Sequence, residues 1–468
     1  MKGALTDGPP FRRLLAFGFP LVVGSIAHAL FNLVDVWLVG RFAPLDTNGD
    51  LVEGGREAAL AAIHASSVLN FLPMLLANGI SVATIATVSR AVGASDRQRA
   101  ADGVNRSLVI SLVIGAFVGI LSGVFAKQQI DALEVAAEAH ATAVRCLEIL
   151  SYGSVTMFAL LQVTAVERAT GHTLPPLVVL TGANLMNAGV AFYAIPRWGA
   201  EGAAWATVLC RGFFAIVGIV WLYARVPEIR KPLGKLRDLY IEALDLLRLG
   251  IPASLQIFSR AVAVIFITRL ISKGSAGEPD RESTDVTAAY SVALRLEMIA
   301  MFACAGWGSA AAAAVGQNLG AGNVKRAIRM GWIGALVAGV AMIALGAAFY
   351  LLAPRLFPFF IEEDQAPRLD AIVGYGTEYF RIVAFSYAAV GVGIVLAEAL
   401  NGAGATRTSF TIDFVAYVGV LLGLAIWLNG IYGRAGLWYA LLIVHIAVAL
   451  AYALCYARVI HSRARAAT

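Results

Sequence analysis

Apolar residues run along this chain in long blocks separated by short polar connections. Twelve blocks can be marked, with approximate limits 14–40, 58–89, 104–126, 141–168, 174–195, 200–226, 247–272, 286–316, 328–352, 374–400, 408–429 and 434–460. Each reaches the roughly 20 residues that a helix needs to cross a bilayer. The longer ones can tilt or extend into water. The pattern predicts an all-α membrane protein with twelve transmembrane helices. With the N-terminus inside, Arg12, Arg13, Arg97, Lys231, Lys325 and Arg463 fall on inner connections and tails, while Asp46, Glu53, Glu134, Glu138, Glu282 and Glu362 fall on outer loops. Counted this way, about twice as many Lys and Arg lie inside as outside, which is the positive-inside pattern. An even number of spans then puts both termini in the cytoplasm, and the expected location is the cell's inner (plasma) membrane.

Composition agrees. Of 468 residues, 59% are hydrophobic and 14% charged, against about 25% charged in soluble domains. The net charge of +6 lies beside the spans, where anionic lipid headgroups rather than nucleic acid are the expected neighbour. Cys146, Cys210, Cys304 and Cys455 are scattered singly, with neither metal spacing nor a disulfide framework. The polar start MKGALTDGPPFRR lacks the features of a cleavable signal peptide. There is no GxxxxGK[ST], no HExxH and no Cys/His cluster, so neither ATP-driven chemistry nor an enzyme is expected, and no cofactor is implied.

The halves repeat. VGASDRQRA after span 2 matches LGAGNVKRA after span 8; ATGHT at Ala169 matches GAGAT at Gly402; Pro20 matches Pro252, and Trp205 is set opposite Trp438. The offset of about 230 residues predicts two parallel, pseudo-symmetric six-helix lobes, the arrangement used for alternating access. The lobes are read as 1–226 and 247–468. Between them, 227–246 forms a cytoplasmic amphipathic linker with a stripe through Leu236, Leu239, Tyr240, Ala243 and Leu244.

Polar residues inside the spans are the candidate chemistry. Span 1 carries His28, Asn32 and Asp35, spaced four and three apart and so on one helix face. An intramembrane carboxylate costs about 2.5–3.5 kcal/mol on insertion scales, so Asp35 needs a role: a functional acid, or a partner for a loop Arg such as Arg41. Arg260, Arg295, Glu297 and Glu398 are charges within second-half spans. Buried charges need partners, and Arg260–Glu398 or Arg295–Glu398 would supply them. Glu167 and Arg168 read as an interfacial pair, and Asp413 as an acid near a helix N-terminus.

These motifs resemble the multidrug and toxic compound extrusion (MATE) family, closest to its DinF-like branch. The residues that carry the resemblance are NLVDVWLVGR, SRAVGASDRQRA, ERATGHTLPP, GAEGAAWAT, AAYSVALRLE, VGQNLGAGNVKRA and ALNGAGATRTS, which cover nearly the whole chain. Each alone is weakly specific; their order and duplication are not. The resemblance implies a twelve-helix antiporter that exports cationic or amphipathic organic compounds, driven by inward H⁺ or Na⁺. It makes Asp35 the coupling acid, with Asn184, Asn187 and Thr207 as neutral members of the first-lobe site. The second acid that the family often supplies in span 5 is missing: Asn187 or Ala188 stands there. A hard Na⁺ ion wants several oxygens and a proton needs one carboxylate, so H⁺ coupling is expected. Arg260 stands near the position of the span-7 acid of the NorM branch, and span 10 is apolar from Val390 to Ala397, so no second-lobe cation site is expected. Candidate substrate contacts are His28, Phe31, Asn32, Met157, Met186, Arg260 and Met298, since adaptable Met and aromatic surfaces suit broad specificity. Met157, Met186 and Met298 could equally be core or lipid-facing. Expected partners are small organic cations, amphipathic drugs and the bilayer, with the chain acting as a monomer. The alternative is a lipid-linked oligosaccharide flippase of the same wider superfamily. A flippase would be expected to show several intramembrane cations for a pyrophosphate and extra spans; here Arg260, Arg295 and Arg211 are the few available.

Overall fold

The structure, a computed structural model, describes residues 5–42, 55–226, 229, 236–273, 281–360 and 368–465, with side chains except at 31–42, 55, 56 and 236. Among the described residues the secondary structure is helical throughout, without strands. In the first half the helices are α1 (Pro10–Phe42), α2 (Gly55–Gly93), α3 (Arg97–Val124), α4 (Ala126–Asp131), α5 (Ala137–Tyr152), α6 (Ser154–Ala169) and α7 (Leu174–Arg225). In the second half they are α8 (Leu236–Ser272), α9 (Arg281–Gly320), α10 (Val324–Leu356), α11 (Leu369–Val383), α12 (Tyr387–Gly402), α13 (Thr406–Asp413), α14 (Leu421–Tyr432) and α15 (Ala435–Arg465).

Among the described residues ten helical stretches are long and apolar enough to span a bilayer, two of them continuous runs of shorter helices (Leu369–Gly402, containing α11 and α12, and Thr406–Tyr432, containing α13 and α14), and α5–α6, bent by 44° at Gly153, make an eleventh. The 52-residue α7 would be about 78 Å long and is two spans: Gly199, with φ 53° and ψ −136°, breaks it. Twelve spans result among the described residues. Lipid-facing stripes follow helical periodicity, as in α3, where Val113, Phe117, Ile120 and Val124 are exposed at spacings of four and three. The buried face of α3 instead carries Gly115 and Gly119, where a Cβ would meet the Phe158 ring and the Ser151 carbonyl, so small residues let these helices approach closely.

The repeat reappears in the backbone. Ser95 (φ 59°) and Gly322 (φ 75°) hold the same left-handed position after α2 and α9. The following amides of Asp96 and Asn323 donate to Ala91 O at 3.1 Å and to Asn318 O at 2.8 Å. Gly171 and Gly404 are a second matched pair, at φ 88° and 69°. Gly199 and Gly433, at φ 53° and 58°, are a third, but their offset is one residue larger (433 − 199 = 234, against 404 − 171 = 233). The extra residue is absorbed in a π-helical turn over Phe414–Val420, the single-turn bulge by which helices accommodate an insertion. This register sets Tyr439, not Trp438, opposite Trp205. Burial agrees, since Trp205 and Tyr439 are exposed whereas Trp438 and Ala204 are buried.

The chain forms two compact units: Val23–Ser254, and Leu5–Val22 together with Leu255–Thr468. The first half of α1 therefore packs with the second half of the sequence. Leu5 N donates to Gln317 Oε1 at 3.2 Å, Asn318 Nδ2 to Leu5 O at 3.2 Å, and Gly18 lies against the Trp307 ring. The end of the linker, from Leu236, is already the start of α8. Leu239 and Ala243 of its stripe pack on Ala83 and Ile110, and Arg106 pairs with Glu242 at 3.1 Å. Much of 227–235 lies outside the described residues.

Candidate functional site

In the first unit α1 meets the first part of α7 through two polar side chains. His28 Nδ1 lies 3.2 Å from Asn184 Nδ2 and 3.4 Å from its Oδ1. Both residues were expected in the site, and they come together. Asn187, one turn further along α7, is buried. Thr207 donates its hydroxyl to Ala203 O at 3.0 Å, within its own helix. Met157 belongs to the core with Ala77, Ile80 and Phe158, because α6 turns that face inward; it is not a free surface. Met186 is half-buried. The side chains of Phe31, Asn32 and Asp35 lie outside the described residues, although α1 is helical through Phe42.

The second unit carries a different cluster. Arg260 Nε and Nη2 both donate to Asp413 Oδ2, at 2.8 and 2.7 Å. Tyr452 Oη lies 2.8 Å from Asp413 Oδ1. Gln256 Nε2 donates to Tyr452 Oη at 3.2 Å, and Asn401 Nδ2 donates to Gln256 Oε1 at 3.0 Å. The Arg260 guanidinium also sits 5.9 Å from the Tyr417 ring centroid. Of the two pairings open from sequence, Arg260–Glu398 or Arg295–Glu398, the first is replaced by Arg260–Asp413. Asp413 ends α13 with no exposed surface, and a carboxylate there requires a cation. It therefore pairs rather than serving the helix N-terminus. Arg295 is exposed and Met298 is 41% exposed on α9.

Glu297 is buried, and its Oε1 accepts hydrogen bonds from Tyr379 and Tyr387, each at 2.8 Å. Glu167, expected beside Arg168, instead pairs with His172 at 3.2 Å and Arg225 at 3.6 Å. Arg168 Nε donates to Thr164 O, one turn back. Sequence reading missed Tyr379, Tyr387, Gln256, Asn401 and Tyr452. The available signal was that an intramembrane acid must find donors, and tyrosines in otherwise apolar spans are the nearest supply.

The MatE family model matches residues 20–193 and 279–427. The chain is 25% identical over 416 residues to the probable multidrug resistance protein YpnP of Bacillus subtilis, covering 88% of this chain and 87% of that protein. It is 28% identical to the probable multidrug resistance protein NorM of Deinococcus radiodurans, over 92% and 91% of the two chains. It is 24% identical to the multidrug resistance protein PmpM of Pseudomonas aeruginosa, over 92% and 88%. Among solved structures, it shares its fold with an outward-facing multidrug resistance MATE family transporter of the MOP superfamily (TM-score 0.86, 21% identity, 99% of each chain). It also shares it with a MOP superfamily transporter from Pyrococcus furiosus described by the reverse polarity of its binding pocket (TM-score 0.86, 20% identity, 98% of each chain). These relatives are multi-pass transporters and not enzymes. On the family match and the twelve-span fold together, the chain belongs to the MatE family of multidrug efflux transporters.

Proposed function

We propose that this transporter is a proton-coupled antiporter of the plasma membrane that exports cationic or amphipathic organic compounds by alternating access, acting as a monomer with both termini in the cytoplasm. The observation that carries the reading is the polar face of α1. His28 on that face meets Asn184 of α7, and Asp35 shares the face by its spacing along the same helix. A carboxyl that alternately holds a proton and faces a cationic substrate couples the two flows, because both compete for one charge. Asn184 and Asn187 are assigned to the same site as its neutral oxygens. Thr207 is assigned to helix packing, since its hydroxyl proton is taken by Ala203 O. The lack of a second acid in span 5 favours H⁺ over Na⁺.

The test is dye efflux in inverted vesicles under separate proton and sodium gradients. A proton gradient alone should drive efflux in the wild type, and Asp35→Asn at equal expression should abolish it. Equal rates for the two proteins would remove Asp35 from the mechanism, and efflux under sodium alone would reverse the choice of ion.

A further inference from the structure

Glu297 differs from the other buried acids of the second unit. It lies in the middle of α9 and is 8% exposed. Tyr379 of α11 and Tyr387 of α12 both donate to its Oε1. No basic side chain pairs with it among the described residues. On α9 itself Arg295 is exposed and lies about 200° away around the helix, while Tyr290 is buried in the same layer. α10 meets this layer with Phe349, against Tyr387 and Phe380, and keeps its charges, Lys325, Arg326, Arg329 and Arg355, at its two ends. α12 carries Glu398 near its inner end, and the Phe357–Phe360 turn carries no charge. α15 brings Trp438, stacked on Tyr290 at 5.6 Å and edge-on to Tyr379 at 4.9 Å. It also brings His445, bonded to Ser386 beside Tyr387 at 2.9 Å. Trp438 is 1% exposed, and its Nε1 donor has no acceptor among the described residues.

An ionised carboxylate in this layer has donors but no counter-charge. Two phenols reduce the cost of ionisation without cancelling it. The aromatic rings are close-packed around the carboxyl, which leaves the proton as the cation that fits. Both phenol protons are directed to Oε1, so Oε2 is the atom available to carry one. We propose that Glu297, held by Tyr379 and Tyr387, is a second proton-exchange site, built into the second unit, where the residues of spans 7 and 10 predict no cation site, and separate from the span-1 carboxyl. In the step, Oε2 accepts a proton from hydronium as an O–H bond forms, and release to water reverses it. Neither Arg260 nor Asp413 supplies this carboxyl, since they neutralise each other. The site's contribution to transport rests on the proton-coupled reading above; its proton chemistry does not.

The experiment is infrared difference spectroscopy of the purified full-length chain, titrated between acid and alkaline pH in sodium-free detergent solution. A protonated-carboxyl band should be present in the wild type, lost in Glu297→Gln and retained in Asp35→Asn. Gln keeps an oxygen for both tyrosines, so the fold should hold. Tyr379→Phe and Tyr387→Phe should each keep the band but displace its frequency, because each removes one hydrogen bond; a purely structural acid would show no titrating band to displace. If Glu297→Gln does not purify, Glu297→Asp gives the same comparison through a displaced band. An unchanged spectrum in Glu297→Gln or Glu297→Asp, or loss of the wild-type band on adding Na⁺ at constant pH, overturns the proposal. Normal efflux by Asp35→Asn with the Glu297 band intact would instead sink the span-1 reading and leave this site standing.

Discussion

His28 and Arg260 stand at matching positions of the repeat, each eight residues after its helix's proline, Pro20 or Pro252. Their partners also match in kind: Asn184 and Asp413 both lie on the helix that follows the paired Gly171 and Gly404 turns. The electrical designs differ. In the first unit the contact is an imidazole against an amide. In the second it is a two-bond guanidinium–carboxylate pair, with Tyr452, Gln256 and Asn401 extending it. The junction between these two helices is polar in both lobes, so the fold calls for a hydrogen-bonded joint there; the charge on the joint is free to vary. Arg260 already has its acid and is self-neutralised. His28 and Asn184 contribute no fixed charge, which leaves the span-1 face, where Asp35 lies, without an internal cation from this joint.

The largest expected effect concerns the register that relates the two lobes. Gly419 lies in the π-helical turn and Gly189 in the matching span of α7, and a Cβ at either would meet nothing within 4 Å. Deleting Gly419 converts the bulge to α-helix and leaves the downstream register nearly intact, at a cost of about 1–3 kcal/mol. Deleting Gly189 rotates the rest of its span by about 100° and pulls Val190, Ala191 and Ile195 out of their cluster with Ala59 and Cys146. Folded yield on size-exclusion chromatography should collapse for the Gly189 deletion and survive for the Gly419 deletion. Equal losses would mean that the bulge has a role beyond absorbing one residue.

Next in size is the ion pair. Arg260→Met leaves Asp413, with no exposed surface, as an uncompensated buried charge, costing about 3–5 kcal/mol. Asp413→Leu should cost less, because the Arg260 side chain is 31% exposed and keeps the Tyr417 ring face. The double change Arg260→Met with Asp413→Leu should recover most of the loss. Asn184→Leu in the first unit should cost only about 0.6 kcal/mol, the usual scale for an intramembrane hydrogen bond. Thermal unfolding of the purified proteins checks the order. A double variant no more stable than Arg260→Met would show that the surrounding tyrosine network, rather than charge pairing, holds this joint.

Spans, their number and the duplication were legible because they rest on apolar run length and on glycine-marked turns, both local features of the chain. The twelve blocks and the paired turns at Ser95 and Gly322 follow from such features, whereas Asn184 was placed in the site by the family resemblance and its contact with His28 was not legible. Partner choice was less legible. The sequence offered Glu398 to either Arg260 or Arg295 and set Asp413 at a helix N-terminus; that Arg260 meets Asp413 instead depends on two helices whose paired residues lie 153 apart in the chain. The shared polar face of α9, α11 and α12 around Glu297 depends on three helices that are distant in sequence, with no spacing rule to connect them. The misplaced match of Trp205 with Trp438 had a single cause, a one-residue π-helical insertion that leaves no compositional mark.

The smallest expected effect tests how far the first-unit site extends. Thr207 has Leu441 as its counterpart at the offset set by the Gly199 and Gly433 turns (441 − 207 = 234), and Leu441 is buried and apolar. The repeat therefore places no demand for a hydroxyl at this point, and the Thr207 proton is spent on Ala203 O within its own helix. Such a back-bond contributes little and bends the helix slightly at most. Thr207→Val keeps the shape and removes the oxygen. It should leave proton-driven efflux within about twofold of wild type and change stability by less than about 0.5 kcal/mol. Asn184→Leu, by contrast, removes a group that touches His28 across two helices, and it should lower efflux more than stability. A large loss of efflux in Thr207→Val, with normal folding, would place the hydroxyl oxygen on the coupling ion. A site built from Asp35, Asn184, Asn187 and Thr207 oxygens would then resemble a Na⁺ cage more than a single proton-carrying acid.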